Sequence, residues 1–248
     1  MYQAFAELYD ELMNDVDYES WADHYTRLLS IYGIRGGKLC ECACGTGSLT
    51  LPLYRRGFQM TGVDVSQEML WQAAQKSRKQ GIAIPYVRQD MRALNLHRPM
   101  DAVLATCDGV NYLLTEEDLL SFFRAAARAV RPGGALIFDV STPWKMKNVL
   151  CTGLLGEDRE NITYLWQNTW HEKRKTVEMD LVFFVRDGDG TYRRIDERQH
   201  QRAWEQQELK EILWHAGFRA VSLYGDYSLN AAREDNHRWH IAATRAEE

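Results

Sequence analysis

Two short segments carry residues whose types and spacing could bind a nucleotide. Residues 39–47 read LCECACGTG, an apolar strand that breaks into a glycine turn before a helix, and residues 62–66 read GVDVS, a strand that ends on Asp64. Because Gly45 and Gly47 lack a Cβ atom, the chain can turn sharply there and a ligand can approach the backbone closely. The 17 positions from Gly47 to Asp64 match the spacing at which a βαβ unit places an acid against a ribose. The pattern predicts an adenine nucleoside cofactor.

The order of the elements around these segments indicates an α/β fold. Apolar runs predict strands at 38–43, 58–64, 83–88, 101–106, 135–140, 219–225 and 238–244. Apolar periodicity, capping residues and terminal glycines predict helices at 3–14, 17–33, 47–56, 66–80, 115–131 and 205–216. This alternation predicts a Rossmann-like, doubly wound sheet of seven mostly parallel strands with helices on both faces.

A different pattern separates the fifth predicted strand from the helix at 205–216. The stretches 162–170, 176–185 and 191–202 are rich in β-forming residues, and residues 186–190 (RDGDG) are typical of a hairpin turn. We predict a small antiparallel β-sheet inserted into the larger fold. The predicted domains are a main domain, 1–143 with 204–248, and an inserted β subdomain, 144–203.

Composition and charge limit the classes of partner. Of the 248 residues, 45% are hydrophobic and 26% are charged, which is ordinary for a globular protein. A net charge of −5 disfavours a general nucleic-acid surface, since phosphate binding relies on clustered Lys and Arg. No apolar run approaches the roughly 20 residues that span a bilayer. We therefore expect neither nucleic acid nor a membrane as partner.

The cysteines favour a reducing compartment. Cys40, Cys42 and Cys44 alternate along an apolar strand, which is typical of buried thiols on one face of a sheet. Metal ligation and disulfide bonding are the less favoured interpretations of this spacing. We therefore predict no metal site and a cytoplasmic location.

The glycine turn also narrows the class of cofactor. Dinucleotide-binding enzymes use G-x-G-x-x-G, in which the third glycine lets a helix pack close to a pyrophosphate. Here residues 45–50 read GTGSLT, so the third glycine is missing. The loop favours a cofactor without a pyrophosphate, whose carboxylate could meet backbone N–H groups. An NAD-dependent oxidoreductase is the less favoured enzyme alternative.

Together the motifs resemble those of the class I S-adenosylmethionine-dependent methyltransferases over residues 38–141. The turn at residues 131–134 (RPGG) before the fifth strand also fits that family. The resemblance implies that S-adenosylmethionine is the cofactor, although Ala43 stands where the family usually has glycine. The implied cofactor-binding residues are Glu41, Ala43, Cys44, Gly45 and Gly47 for the methionine part, Asp64 for the ribose, Val65, Gln89, Asp90 and Met91 for the adenine, and Thr106 and Cys107 for the methyl end.

Within that family the plan is similar to the small-molecule branch, which includes sugar-amine and glycine N-methyltransferases and uncharacterised bacterial relatives. The likeness implies an N-terminal helical cover, with Tyr9 and Trp21 over the cofactor, and an acceptor pocket walled by residues 144–203. It also implies in-line transfer of a methyl group to nitrogen or oxygen of a small-molecule acceptor. The candidate catalytic and acceptor-side residues are Asp108, Asn111 and Tyr112 after the fourth strand, with His200 as a base and Arg202 as an anion clamp.

Several of these candidates also have a plainer, structural interpretation. Asp64 could cap the helix that begins near Ser66, Asp90 could be an ordinary loop residue, and Asp108 could form a turn with the following glycine. Cys107, Tyr9, Trp21 and His200 could equally serve packing. Outside the enzymes, the alternative is a protein that binds S-adenosylmethionine without catalysis, and the chain could be a monomer or a homodimer.

Overall fold

The structure, a computed structural model, describes residues 3–247, and no helix in that range is long and apolar enough to cross a membrane. Residues 1–2 and 248 of the predicted main domain lie outside it. The α-helices described are α1 (Gln3–Leu12), α2 (Tyr18–Ile31), α3 (Thr50–Arg55), α4 (Gln67–Lys79), α5 (Glu116–Ala129), α6 (Pro143–Lys145) and α7 (Gln206–His215). The strands are β1 (Gly37–Cys42), β2 (Phe58–Asp64), β3 (Tyr86–Arg88), β4 (Met100–Ala105), β5 (Val130–Ser141), β6 (Leu154–Asp158), β7 (Ile162–His171), β8 (Thr176–Arg186), β9 (Tyr192–Arg202), β10 (Phe218–Gly225) and β11 (Arg238–Arg245).

The larger sheet has seven strands in the order β10-β11-β5-β4-β1-β2-β3. β11 pairs antiparallel with both β10 and β5, whereas the other neighbours pair parallel. The order of the strands reverses between β1 and β4. In open α/β sheets, ligands bind in the crevice outside the carboxyl ends of the strands at such a point. The predicted Rossmann-like, doubly wound sheet of seven mostly parallel strands is confirmed.

A second, antiparallel sheet has the order β6-β7-β8-β9. Three of its strands match the stretches predicted at 162–170, 176–185 and 191–202, so the predicted inserted sheet is confirmed. The fourth strand, β6, was not predicted. Its sequence, LLGED, has no apolar alternation, and every residue in it is exposed. It is held through backbone pairing with β7 rather than by burial of side chains.

Side-chain caps set the start of three helices where the sequence predicts them. Asp17, Ser66 and Thr115 accept hydrogen bonds from backbone N–H groups in the first turns of α2, α4 and α5 respectively. The predicted helix at 47–56 is shorter, because Gly47 has a φ of 72°, which a right-handed helix cannot contain. The predicted strand at 83–88 shrinks to β3, since Pro85 has no N–H to donate to a ladder.

The predicted turn before the fifth strand lies inside β5. β5 begins at Val130, directly after α5, and its pairing with β4 shifts register over this stretch. Met100 pairs with Val130, but Ala102 pairs with Ala135, so β5 carries extra residues that bulge out of the ladder. Proline and the two glycines supply that irregularity, which makes this segment a bulge rather than the separate turn that the sequence predicts.

Two apolar layers bury the faces of the larger sheet. On one face α5 supplies Phe122 and Phe123, which pack with Phe138 of β5. On the other face α2 supplies Leu28 and Leu29. Each such side chain stabilises the fold by roughly 1.5–3 kcal/mol through removal from water. The carboxyl edge of the sheet is therefore a fixed platform for the loops that follow β1, β2 and β4.

Candidate active site

A cavity of about 590 Å³ lies at the carboxyl edge of the larger sheet, between that edge, α1 and the second sheet. The volume falls within the roughly 300–1,000 Å³ of small-molecule sites. The predicted site residues that line it are Tyr9, Trp21, Glu41, Ala43, Cys44, Gly45, Asp64, Val65, Met91, Thr106, Cys107, Asp108 and Tyr112. Those that do not line it are Gly47, Gln89, Asp90, Asn111, His200 and Arg202.

Asp64 is the last residue of β2 and lines the cavity beside residues 43–47, which we call the glycine loop. Its Oδ2 accepts a hydrogen bond from the backbone N–H of Gly45 at 2.9 Å, and its Oδ1 accepts one from that of Ser66 at 2.9 Å. Burial raises the pKa of Asp64 above its ordinary value, and these hydrogen bonds oppose the rise. A carboxylate oxygen accepts more than one hydrogen bond, so the held side chain keeps capacity for a pair of hydroxyl groups.

Glu41 is a buried carboxyl group on β1 that also borders the cavity. Its Oε1 accepts a hydrogen bond from the Thr106 hydroxyl at 2.8 Å, and its Oε2 accepts one from the Thr50 hydroxyl. Burial raises the pKa of Glu41 to about 7, although both hydrogen bonds favour the charged form. The carboxyl group therefore changes charge near neutral pH, and a cationic group bound beside it would favour the carboxylate.

The glycine loop turns through three left-handed residues. Ala43 and Gly45 each have a φ of 53°, and both line the cavity. A Cβ atom on Gly47 would lie 2.7 Å from the Tyr86 hydroxyl oxygen and 3.1 Å from the Cβ of Ala73. The structure therefore gives Gly47 a role in close packing behind the loop, whereas the resemblance implied a contact with the cofactor. Ala43 adopts the left-handed conformation that glycine adopts without strain.

The helix α1 covers one side of the cavity, as the resemblance implied. Tyr9 of α1 and Trp21 of α2 both line it. Asp10 ties α1 to the rest of the site, because its Oδ1 accepts hydrogen bonds from the Thr46 hydroxyl at 2.6 Å and from Lys76 Nζ at 2.9 Å. The same carboxylate and lysine form an ion pair. The cover is thus fastened to the glycine loop and to α4.

The segment after β4 presents Asp108 to the cavity through an unusual backbone. Cys107 and Asp108 have φ values of 55° and 63°, a left-handed conformation that costs a non-glycine residue roughly 1–2 kcal/mol. The backbone N–H of Asp108 donates to Asp139 Oδ2 at 3.2 Å, and the Ser141 hydroxyl donates to Asp108 Oδ1 at 3.0 Å. These bonds from β5 hold the strained turn in place.

Asp108 belongs to a buried group of charges that the sequence did not reveal. Arg238 forms ion pairs with the carboxylates of both Asp108 and Asp139, and the Tyr25 hydroxyl donates to Asp139 Oδ1 at 2.7 Å. Burial favours the neutral form of Asp108, but Arg238 outweighs it and the pKa of Asp108 lies below its ordinary value. Burial raises the pKa of Asp139 despite Arg238. We call Tyr25, Asp108, Asp139, Ser141 and Arg238 the buried ion network.

One sequence signal could have found this network. Asp139 interrupts the apolar run ALIFDV of β5, just as Glu41 interrupts that of β1, and a buried carboxylate needs partners. Arg238 opens an apolar strand in the same way. Only the antiparallel register of β11 against β5, however, brings the two together. The sequence therefore indicates that Asp139 and Arg238 are unusual charged residues in apolar strands, but it does not indicate that they pair with each other.

The opposite side of the cavity is formed by alternate residues of the second sheet. Tyr164 pairs across the strands with Phe183, Trp166 with Leu181, and Gln199 lies opposite Met179. We call Tyr164, Trp166, Met179, Leu181, Phe183 and Gln199 the insert wall; all six line the cavity. The Tyr112 hydroxyl donates to Gln199 Oε1 at 2.6 Å and so joins the segment after β4 to this wall.

His200 and Arg202 lie on the other face of β9. Gln199 and Gln201 line the cavity, and because strand side chains alternate, the residues between and after them point away. His200 is exposed, and its Nε2 lies 3.0 Å from Glu178 Oε2. Arg202 pairs with Glu208 at 3.3 Å. The geometry therefore does not bring the suggested base and anion clamp into the cavity.

Gln89, Asp90 and Asn111 are engaged away from the cavity. Both amide atoms of Gln89 bond to the backbone of Asn95. Asp90 forms an ion pair with Arg92 at 2.6 Å, and the hydrogen bonds from Arg92 lower the pKa of Asp90 against the effect of burial. Asn111 is buried, and its amide donates to backbone carbonyls of β5 and β9. In this structure the three side chains stabilise loops.

Known proteins are similar to this chain in sequence and in fold. The Methyltransf_25 family, described as a methyltransferase domain, matches residues 39–134. A Bacillus subtilis (strain 168) protein named "Putative methyltransferase YqeM" is 35% identical over 92% of this chain and 90% of its own length. A dTDP-3-amino-3,4,6-trideoxy-alpha-D-glucopyranose N,N-dimethyltransferase of Streptomyces venezuelae is 25% identical over 89% of this chain and 92% of its own. The crystal structure of an S-adenosylmethionine-dependent methyltransferase from Clostridium acetobutylicum ATCC 824 has a TM-score of 0.88, with 31% identity and 99% of both chains covered. The chain belongs to the class I S-adenosylmethionine-dependent methyltransferases.

Proposed function

We propose that this methyltransferase transfers a methyl group to the nitrogen or oxygen of a small-molecule acceptor bound against the insert wall. One observation carries the proposal: a single cavity joins Asp64 and the glycine loop to the insert wall. Two ligands in one cavity can be aligned for direct transfer between them. The name of the Streptomyces venezuelae relative, which acts on an amino sugar, also supports a small acceptor. Membership of the family rules out the NAD-dependent alternative.

The residues around Asp64 fit S-adenosylmethionine. The Asp64 carboxylate has capacity for both hydroxyls of a ribose, and Val65 and Met91 offer apolar surface for an adenine at the same end of the cavity. Glu41 lies beside the glycine loop, where its charged form suits a cationic amino group. The bound cofactor supplies a methyl group that its sulfonium charge makes electrophilic. The protein therefore needs chiefly to hold and align the two reactants.

Alignment and exclusion of water are what this chain's residues can supply. Holding two reactants in the productive geometry contributes roughly 7–11 kcal/mol toward the barrier. Tyr9 and Trp21 close one side of the cavity. Asp108 is a weak base because its pKa is held low, so we assign it to orienting the acceptor by accepting a hydrogen bond rather than to removing a proton. Tyr112, bonded to Gln199 where the segment after β4 meets the insert wall, is the second candidate for orienting the acceptor.

The proposal also gives the two predicted domains separate tasks. Residues 1–143 with 204–248 would hold the cofactor, and residues 144–203, which we call the insert, would wall the acceptor. The separation is supported by the strand pairing, because β6 to β9 pair only with one another among the described residues 3–247. We propose the cytoplasm as the place where this chemistry occurs.

A labelling experiment tests the proposal. The protein is incubated with methyl-labelled S-adenosylmethionine and a bacterial extract that has been divided by ultrafiltration into small-molecule and macromolecular fractions. We expect label to enter a compound of the small-molecule fraction, and we expect Asp64→Ala to abolish this labelling. Label found only in protein or nucleic acid would contradict the small-molecule assignment. Cofactor binding without labelling of either fraction would favour a protein without turnover.

A further inference from the structure

We infer that the acceptor is an arylalkylamine, here called an aromatic amine, without phosphate or carboxylate groups, with its ring against the insert wall and its amino group at Asp108. The inference rests on the proposed small-molecule acceptor and names its chemical class. Three features of the acceptor side of the cavity support it: the surface of the insert wall, the free oxygen of Asp108, and the state of the cations that line the cavity.

The insert wall presents chiefly rings and aliphatic groups. The Tyr164 and Phe183 rings are neighbours, with centroids 6.3 Å apart. The Trp166 indole N–H donates to Asn168 Oδ1 at 2.6 Å, so the ring contributes chiefly carbon surface. Gln199, the polar member of the wall, accepts the Tyr112 hydroxyl through its Oε1, and Gln201 of the same strand adds a second amide to this side of the cavity. A sugar would leave hydroxyl groups unpaired against such a wall, whereas a flat aromatic ring would pack on it.

Asp108 offers a carboxylate oxygen to an acceptor that is bound against the insert wall. Its Oδ1 accepts hydrogen bonds from Ser141 and Arg238. Its Oδ2 accepts none from the backbone of residues 3–247 or from the described side chains of residues 8–247, and the side chain is 23% exposed. Asp108 lines the cavity, and a carboxylate that keeps one oxygen without a hydrogen bond attracts an amine N–H and repels an anion.

Of the three described cations that line the cavity, two form ion pairs, which disfavours a phosphorylated acceptor. Arg238 is shared by two carboxylates of the buried ion network. Arg159 pairs with Glu157 at 2.8 Å and donates to a carbonyl of α1, although its buried Nε has no hydrogen-bond partner among the described residues. Lys145 Nζ donates to the Ser141 hydroxyl at 3.1 Å. Of the three, Lys145 has no carboxylate within ion-pair distance among the described residues, so a carboxylate-bearing acceptor is the sharpest rival.

Matched ligands separate the amine from its anionic rivals. The protein loaded with S-adenosylhomocysteine is titrated calorimetrically with tryptamine, phenethylamine and benzylamine. Each is compared with the carboxylate of the same skeleton: indole-3-propionate, 3-phenylpropionate and phenylacetate. Thymidine diphosphate serves as the phosphate probe and 1,3-diaminopropane as the amine without a ring. We expect at least one aromatic amine to bind tenfold or more tightly than its carboxylate, than thymidine diphosphate and than the diamine.

Variants test whether the named residues make the difference. Trp166→Ala should weaken the binding of the best amine about tenfold and leave the affinity for S-adenosylhomocysteine within twofold. Asp108→Asn should weaken the amine and reduce its preference over the carboxylate. Leu165→Ala, next to Trp166 on the exposed opposite face of β7, is the matched control and should change neither affinity. Since Asp108 has a structural role, the Trp166 variant keeps the test decisive if Asp108→Asn fails to fold.

Three results would overturn the inference. They are equal or tighter binding of a carboxylate or of thymidine diphosphate, an affinity for the best amine that Trp166→Ala leaves unchanged, and no binding by any of the aromatic amines. None of these decides whether the acceptor is small, because the labelling of the two extract fractions answers that question separately.

Discussion

The two ends of the cavity are built in different ways. At the Asp64 end, one short loop and the residue that ends β2 hold each other through backbone hydrogen bonds. At the acceptor end, the buried ion network joins residues from α2, the segment after β4, β5 and β11, and the insert wall comes from three strands of another sheet. Local geometry makes the first end, and tertiary pairing makes the second. The cofactor end can therefore be predicted from the sequence, whereas the acceptor end depends on how distant strands pair and in which register.

The largest predicted effect concerns the buried charges at the acceptor end. Arg238→Met should lower the free energy of unfolding by about 3–5 kcal/mol, because it leaves Asp108 and Asp139 buried without their cation. Urea unfolding followed by circular dichroism measures the change. Arg233→Met, which removes an exposed arginine that forms an ion pair with Asp235, is the control and should cost less than about 1 kcal/mol. Equal losses in the two variants would show that the network does not hold the acceptor end together.

The two ends should respond to pH in opposite directions. Behind the buried ion network, His24 and His240 have ring centroids 4.4 Å apart, and their ring nitrogens have no hydrogen-bond partner among the described residues. Burial lowers the pKa of His24 to about 4 and that of His240 well below its ordinary value. Unfolded histidines bind protons below about pH 6.5 while these stay neutral, so stability should fall by up to about 1.4 kcal/mol per pH unit for each histidine as pH decreases from 6.5 toward 4.

Glu41, at the cofactor end, should make the stability change with pH in the opposite direction. Its folded pKa is about 7, whereas an unfolded glutamic acid loses its proton near pH 4.5. The folded state thus holds a proton that the unfolded state has lost, so this contribution to stability declines as pH rises from 4.5 to 7. Urea unfolding across pH 4–8 should show a smaller acid loss in His24→Phe/His240→Phe and a smaller loss on the alkaline side in Glu41→Gln. The same pH dependence in all three proteins would contradict the assignment.

Replacing the two glycines of the glycine loop by alanine should destabilise the fold by different amounts and for different reasons. Gly47→Ala should destabilise the fold by roughly 2–4 kcal/mol, because it combines a left-handed backbone with contacts to Tyr86 and Ala73 that a Cβ atom would crowd. Gly45→Ala meets no atom within 4 Å, so its cost is the backbone strain of about 1–2 kcal/mol alone. Thermal unfolding compares the two variants. A greater loss for Gly45→Ala would contradict the packing role of Gly47.

The smallest predicted effect is a gain in stability. Ala43 has a φ of 53°, so Ala43→Gly removes left-handed strain and also adds freedom to the unfolded chain. The two terms oppose each other, and we expect a net stabilisation of about 0–1 kcal/mol by urea unfolding. Ala73→Gly, in the buried interior of the helix α4, is the control and should destabilise. A loss in Ala43→Gly as large as in the control would show that Ala43 is not strained.

The sequence predicted those parts of the structure that depend on residues close together in the chain. Glycine spacing, capping residues and apolar alternation gave the larger sheet, and the residues around Gly45 and Asp64 were found as one motif. His200 was predicted to face the acceptor, but a strand turns alternate residues to opposite faces, and β9 turns Gln199 and Gln201 inward instead. The pairing of Arg238 with Asp139, about a hundred residues away, depends on the packing of β11 against β5. No local pattern encodes that choice of register.

The binding of S-adenosylmethionine to Asp64→Ala tests the central claim most directly. Two hydrogen bonds from ribose hydroxyls to a carboxylate contribute on the order of 3 kcal/mol, so calorimetric titration should show an affinity about a hundredfold weaker than that of the wild-type protein. Asp90→Ala removes a carboxylate that pairs with Arg92 outside the cavity lining, and it should change the affinity less than threefold. An unchanged affinity in a folded Asp64→Ala protein, or an equal loss in the two variants, would contradict the assignment of this end of the cavity to the cofactor.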